Sequence, residues 1–375
     1  MLTSLLGIRL VLWAGSTVPT PVPAASLRAL SRIEVQDDED QGRGFQLTFQ
    51  LSKDRMGEYD IVRSGTLDPQ SRVIIGVVLG AAPEPLIDGV IYHHQLMPSK
   101  EPGASTLTVT GRDVSVMLDL EEKDRNHANQ PDFLIVNTIL ADYAQYVLPP
   151  YRVTPTTDVP IELQRTPHQS ETDLKFVERL ATRNGFTFYI EPIFMGINSA
   201  YWGPENRLGL PLPALSTNLG GHTNVTSLTF ANDALAAVGT RGTFVEPITK
   251  TSITIPPLPS LRVPPLSSSP ASALRIRRLR GTARQNAAQA ALSAVSAVTN
   301  APETVSGDGQ LDTVRYGAVL RSRRLVGVRG AGMAYDGNFY VRGVRHLIDM
   351  TAGTYTQSFR LSREGTGTLI PMVRP

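Results

Sequence analysis

Apolar and polar residues alternate along much of this chain, and a period of two dominates its first third. Phe45, Leu47, Phe49 and Leu51 are interleaved with Gln46, Thr48 and Gln50, so an extended strand here has one apolar face and one polar face. Ile33 and Val35 lead into the same hairpin through an acidic tip, Asp37, Asp38, Glu39 and Asp40, and a turn at Gly42, Arg43 and Gly44. Further strands are predicted at 73–79, 86–92 and 107–109, separated by turns containing Pro and Gly. The apolar run over 5–14 has no basic segment before it and carries Arg9 inside it. It is therefore read as a first strand from Gly7 to Trp13 rather than as a secretion leader.

The period then lengthens. After Pro131 and Asp132, the residues Ile135, Ile139, Tyr143 and Tyr146 keep a helical spacing until Pro149 and Pro150 stop it. A second helix is expected to start near Ser170, with Asp173 as its capping partner, and to bury Leu174, Val177, Leu180 and Ala181. Gly185 should end it, ahead of an aromatic strand over 186–190. Strands return over 208–244. The Pro/Ser-rich stretch 246–270 reads as a long irregular connection, and Thr282 with Gln285 as the capping box of an Ala-rich helix over 283–299. Toward the end, Phe339 and Val341 pass through Gly343 to Val344, His346 and Ile348, a shift of one that marks a bulge. The closing strand alternates Tyr355, Gln357, Phe359 and Leu361. This order predicts a β-rich α+β chain: an antiparallel β-barrel over 1–122, a small α/β insertion over 123–192 and a second barrel over 193–375.

Composition supports that class. The 375 residues include 31 Gly and 28 Pro, which suits short strands joined by turns better than a helical bundle. With 36 Lys+Arg against 34 Asp+Glu, no global field points to nucleic acid or membrane. The absence of cysteine removes disulfides, thiolate metal sites and a cysteine nucleophile. None of the six histidines forms an HExxH pair, and His93 and His94 should point to opposite faces of one strand. No GxSxG elbow is present, and the glycines over 327–332 lack phosphate-loop spacing. The residues thus mark no catalytic, cofactor or metal site. Two basic clusters stand out: Arg275, Arg277, Arg278, Arg280 and Arg284, and Arg321, Arg323, Arg324 and Arg329. Without interleaved aromatics they read as solvated faces or as contacts to an acidic partner, not as a sequence-specific nucleic-acid site. The acidic tip Asp37, Asp38, Glu39 and Asp40 is likewise either a solvated loop or a partner patch for such a cluster on a neighbouring subunit.

Three stretches together resemble the phage late control protein D family, the baseplate hubs of contractile tails and related injection systems. The first is PLIDGVIYHHQ at 85–95 with LTVTGRDVSVMLDLEEK at 107–123. The second is QSETDLKFVERLATRNGFTFYIEP at 169–192, with its Ser and acid opening a helix, an Arg-Leu-Ala run, then Gly and an aromatic strand. The third is GNFYVRGVRHLIDMTAGTYTQSFRLSREG at 337–365. In order they bracket most of the chain, and the opening residues and the Pro-rich stretch suggest the hubs of extracellular contractile injection systems. The resemblance implies two tail-tube-like barrels per chain and a homotrimeric ring that adapts a six-fold tube to a three-fold spike.

On that reading the chain is a particle component assembled in the bacterial cytoplasm without a signal peptide or transmembrane segment. Its partners are its own copies, a hexameric tail tube protein above, a separate trimeric spike below and other baseplate subunits. The separate spike is expected because the sequence carries no oligonucleotide-binding-type barrel or β-helix after residue 365, unlike fused hub-spike proteins of type VI secretion. Two other classes compete. A tail-associated cell-wall hydrolase needs an inserted domain with a marked acid or nucleophile pair. A surface carbohydrate-binding β-protein needs exposed aromatics, and only Trp13 and Trp202 are tryptophans.

Overall fold

The computed structural model describes residues 3–5, 8–16, 18–54, 57–80, 82–162, 165–245, 250–280 and 285–369. Period-two alternation builds the N-terminal strands. They are β1 (Thr3–Leu5), β2 (Ile8–Gly15), β3 (Thr20–Pro21), β4 (Leu30–Asp38), β5 (Gly42–Leu51), β6 (Arg72–Val78), β7 (Glu84–Met97) and β8 (Ser105–Asp113). Short helices α1 (Ala24–Ala29) and α2 (Asp60–Arg63) lie between them. The β4–β5 hairpin pairs Ile33 with Leu47 and Val35 with Phe45. All four are buried, while Gln46 and Gln50 on the opposite face are exposed. The opening strand is β2, with Ile8, Leu10, Leu12 and Ala14 inward; Gly7 lies outside the described residues.

The middle of the chain folds around its own apolar cluster. Its elements are β9 (Glu122–Asn126), α3 (Asp132–Ala141), β10 (Arg152–Val153), β11 (His168–Thr172), α4 (Asp173–Asn184), β12 (Thr187–Phe194) and β13 (Ile197–Gly203). Helix α3 stops at Ala141, so Tyr143 and Tyr146 fall in the turns that follow and pack half-buried against the cluster. Helix α4 is capped by Thr172, not Ser170. Ser170 is held in the β11–β9 pairing opposite Asp124, and Thr172 Oγ1 accepts the Lys175 N–H at 3.4 Å. Phe176, Val177, Leu180 and Ala181 form its buried face, and Gly185 ends it at φ 68°. Fully buried Trp202 donates from Nε1 to Val177 O at 3.2 Å and meets Phe186 edge-on at 4.9 Å between ring centroids. Such an aromatic pair contributes about 1 kcal/mol beyond its burial.

The last third contains β14 (Leu212–Ser216), β15 (Val225–Asn232), β16 (Val238–Val245), β17 (Ser252–Ile255), β18 (Ser267–Pro270), β19 (Arg275–Arg278), β20 (Val305–Asp312), β21 (Leu325–Arg329), β22 (Gly337–Asp349), β23 (Thr354–Arg363) and β24 (Gly365–Thr368). Helices α5 (Ala287–Thr299) and α6 (Thr313–Tyr316) are set among them. The Pro-rich stretch is less irregular than expected. Ile253, Thr254 and Ile255 give β17 enough β-branched character to pair with β16, and β18 pairs with β24. Helix α5 also starts later than expected. Asn286 accepts the Gln289 N–H at 2.8 Å and Gln289 returns a bond to the Asn286 N–H, a complete capping box. Gln285 precedes the helix, and Thr282 lies outside the described residues.

One pairing decides the architecture. The outer edge of β4 does not turn back on its own half but takes β22, with Ile33 opposite Ile348 and Val35 opposite His346. The result is a single 14-stranded sheet whose main path runs β1-β2-β6-β7-β8-β5-β4-β22-β23-β20-β15. The two expected barrels are thus two halves of one sheet, and the pairings among the described residues close neither half into a barrel. Each half keeps its own apolar core, and the first core also takes Val319, Ile348 and Tyr355 from the second half. The expected bulge at Gly343 is present, as a register shift in the β22–β23 pairing. A Cβ there would lie 2.1 Å from Asp38 Oδ2, so glycine lets the acidic tip close onto the sheet. Among the described residues no helix is long and apolar enough to cross a membrane.

Candidate interfaces and the buried ion network

The solvated-loop reading of the acidic tip fits only Asp40, whose side chain is 73% exposed. Asp38 is buried and builds the turn, accepting the N–H groups of Asp40 at 2.9 Å and Gln41 at 3.0 Å. It also takes a two-pronged contact from Arg360, at 3.0 and 2.5 Å. Asp37 turns the other way, accepting from Arg323 at 2.6 Å and from the Ser322 hydroxyl at 2.5 Å, with Arg43 Nε 2.7 Å away. Burial alone would raise its carboxyl, but Arg43, Arg323 and the Ser322 hydrogen bond hold it far below the ordinary carboxylate range. Glu39 binds Arg342 at 2.7 Å and Tyr340 at 3.1 Å.

The second basic cluster is consumed inside the chain as well. Arg321 donates to Pro85 O at 2.8 Å and pairs with Glu84 at 3.1 Å, while Arg324 pairs with Glu191 at 3.2 Å. Arg323, at φ 58°, projects over the Tyr189 ring with 4.6 Å to its centroid. The three arginines thereby stitch the β21 approach to the first half-sheet and to β12. They line a cleft of about 650 Å³ with Arg152, Glu191 and the apolar hairpin tip Ile193, Phe194 and Met195.

Beside the tip lies a network that the sequence reading missed. Arg207, with a side chain 0% exposed, donates to Glu303 at 2.5 Å, Glu205 at 2.9 Å and Glu364 at 3.0 Å. Arg342 reaches Glu205 at 2.5 Å and Glu303 at 2.9 Å in addition to Glu39. Arg262, from the Pro-rich stretch, joins through Glu205 at 2.9 Å and the Ala301 carbonyl at 2.7 Å. Glu364 accepts the Leu266 and Ser267 N–H groups at 2.5 and 2.7 Å, which ties the same stretch to the end of β23. Burial would raise the Glu303 carboxyl, but Arg342, Arg207 and Arg262 hold it down to about 2. Such a buried network adds little net stability over an apolar filling, but losing one member strands a charge. Its signal is invisible in sequence because residues 39, 205, 207, 262, 303, 342 and 364 are dispersed.

The first basic cluster behaves differently. Arg275, Arg277, Arg278 and Arg280 are all exposed, on β19 and just after it, at the edge of the β17-β16-β19 sheet. The Arg275 side chain donates to the Leu235 carbonyl at 3.5 Å, and among the described residues none of the four has a carboxylate within 4.0 Å. Arg284 lies outside the described residues. No group of three or more His, Cys, Asp or Glu gathers at metal-binding spacing among the described residues.

No protein-family model and no curated protein sequence matches the chain. Solved structures do match its fold over nearly its whole length. A tail protein from Neisseria meningitidis MC58 superposes with a TM-score of 0.62 at 16% identity, covering 96% of this chain and 98% of that one. The 43 kDa tail protein of prophage MuSo2 from Shewanella oneidensis gives 0.58 at 16% identity, over 95% and 98%. A type VI secretion system component of E. coli, described as structurally similar to the T4 tail proteins gp27 and gp5, gives 0.54 at 12% identity, over 92% and 77%. The chain therefore shares its fold with these phage-tail proteins and with that type VI secretion component. The resemblance read from its three sequence stretches points to that same class.

Proposed function

We propose that the chain is the baseplate hub of a contractile, phage-tail-like injection particle: a homotrimer that adapts a six-fold tail tube to a three-fold spike. The observation that carries this reading is the side-by-side join of two half-sheets, each with its own core, through the β4–β22 pairing. Two strand sets per chain become six around a three-fold axis, which is the count a six-fold tube requires. The tip, the arginine loop over 321–324 and the buried network fix the two sets relative to each other. A ring built from chains with a loose join would not present six equivalent positions.

Above the ring sits a hexameric tube protein, and below it a separate trimeric spike; other baseplate subunits surround it, and assembly takes place in the bacterial cytoplasm. The work is done by shape and contact, without a cofactor or catalysis. Sedimentation and light scattering of the purified chain test the reading. A species of three times the 40.7 kDa chain mass is expected. A stable monomer that cleaves peptidoglycan would replace the hub with a tail-associated hydrolase.

A further inference from the structure

The arginine strand β19 is an open edge. Its inner side pairs in parallel with β16, and among the described residues no strand lies on its outer side. Arg278 stands in register with exposed Arg241 of β16, two like charges side by side on one sheet face, an arrangement that costs stability unless an anion answers it. Edge arginines alone could simply guard against aggregation. Here, however, Leu274 and Ile276 lie among them, 67% and 54% exposed. A guarded edge has no use for exposed leucine and isoleucine, whereas a docking edge does.

A second open edge carries the opposite charge. Strand β9 pairs only with β11 among the described residues, and Glu121, Glu122 and Asp124 on and before it are exposed beside Leu120, itself 68% exposed. Of the cations in this segment, Lys123 is bonded inward to Asp173, and exposed Arg125 lies 4.0 Å from exposed Asp142. The two edges belong to different sheets, and α4 links them. Its N-terminus continues directly from β11, the partner of β9. Its C-terminus meets α5, where Asn300 donates to the Thr182 carbonyl at 2.9 Å, and α5 shares a core with β16. A 12-residue helix is about 18 Å long, so α4 separates its β11 junction from its contact with α5 by that length.

We propose that the basic edge Arg275–Arg278 of one copy docks on the acidic edge Glu122–Asn126 of the next, as a head-to-tail contact that closes the ring. Contact between two unlike edges is heterologous, the kind that generates cyclic assemblies when the rotation closes. The proposal rests on the trimeric reading above and names the surfaces that would carry it. Exposed charges at such a contact act on encounter and specificity, and the apolar pairs Leu274/Ile276 and Leu120 add burial.

The test is a charge swap in the full chain, read by analytical ultracentrifugation, with circular dichroism to show each variant folded. Arg277→Glu with Arg278→Glu should weaken self-association at least ~10-fold, and Glu122→Arg with Asp124→Arg should do the same. Combining all four should restore association to within a few-fold of the parent. If the parent is trimeric and either pair leaves it unchanged, or the combined variant is not rescued, this contact is overturned while the hub reading stands. A parent that stays monomeric at every concentration overturns the ring itself. An unchanged trimer whose retention on double-stranded DNA is abolished by the arginine-to-glutamate pair overturns the proposal in favour of a nucleic-acid patch.

Discussion

The two basic segments of this chain look alike in sequence and have opposite fates. Arg321, Arg323 and Arg324 are each bound to a carboxylate of the same chain, whereas Arg275, Arg277, Arg278 and Arg280 meet none among the described residues. The difference lies in where the chain returns. Residue 323 is brought by the large sheet beside residue 37, 286 positions away in sequence, while β19 is laid on the rim of a small three-stranded sheet. An arginine cluster therefore carries no meaning until its carboxylates are located. One cluster is a rivet, and the other is left as a surface.

That contrast can be broken in order of expected size. Arg323→Ala leaves Asp37 only Arg43 and the Ser322 hydroxyl, and breaking this largely buried pair should destabilise the chain by about 3–5 kcal/mol in urea titration. A loss below 1 kcal/mol would show that the arginine loop does not rivet the halves. Acid should act next. Glu303 is held from its ordinary 4.5 down to about 2, so the unfolded chain takes up that proton first as pH falls. The stability it contributes is complete above pH 4.5 and is lost on the way to pH 2, an effect on the order of 3 kcal/mol. His346, buried and held to about 3 from 6.5, works in the same sense. It stays neutral in the fold while the unfolded chain protonates, so loss should begin below pH 6.5. A thermal midpoint that is flat from pH 6.5 to 3 would contradict both assignments. The smallest effect belongs to the open cluster: Arg277→Ala with Arg278→Ala should change monomer stability by no more than ~0.5 kcal/mol. A larger loss would mean that these side chains have structural work to do within the chain.

Much of the fold was legible because it is local. The alternation over 45–51 fixes which face of β5 is buried, Gly185 ends α4 because the turn there needs φ 68°, and Gly343 marks its bulge by shifting the alternation. Helix starts were less legible, since capping depends on the backbone that precedes the helix. Ser170 is a better-looking cap than Thr172 until β11 is seen to hold it in a strand. Closure of two barrels was misread for a related reason. Each strand set satisfies the pattern of a barrel, but pattern cannot tell whether the edge of β4 closes on its own half or takes β22. The network of Arg207, Arg262, Arg342, Glu205 and Glu303 left no local trace at all. Its partners are joined only by tertiary return of the chain.

Electron microscopy of the purified chain at micromolar concentration decides whether the ring forms. A three-fold ring is expected, in which six β-rich densities surround the axis, two from each copy and joined within the copy. Single-copy particles, or a ring in which each copy contributes one such density, would contradict it.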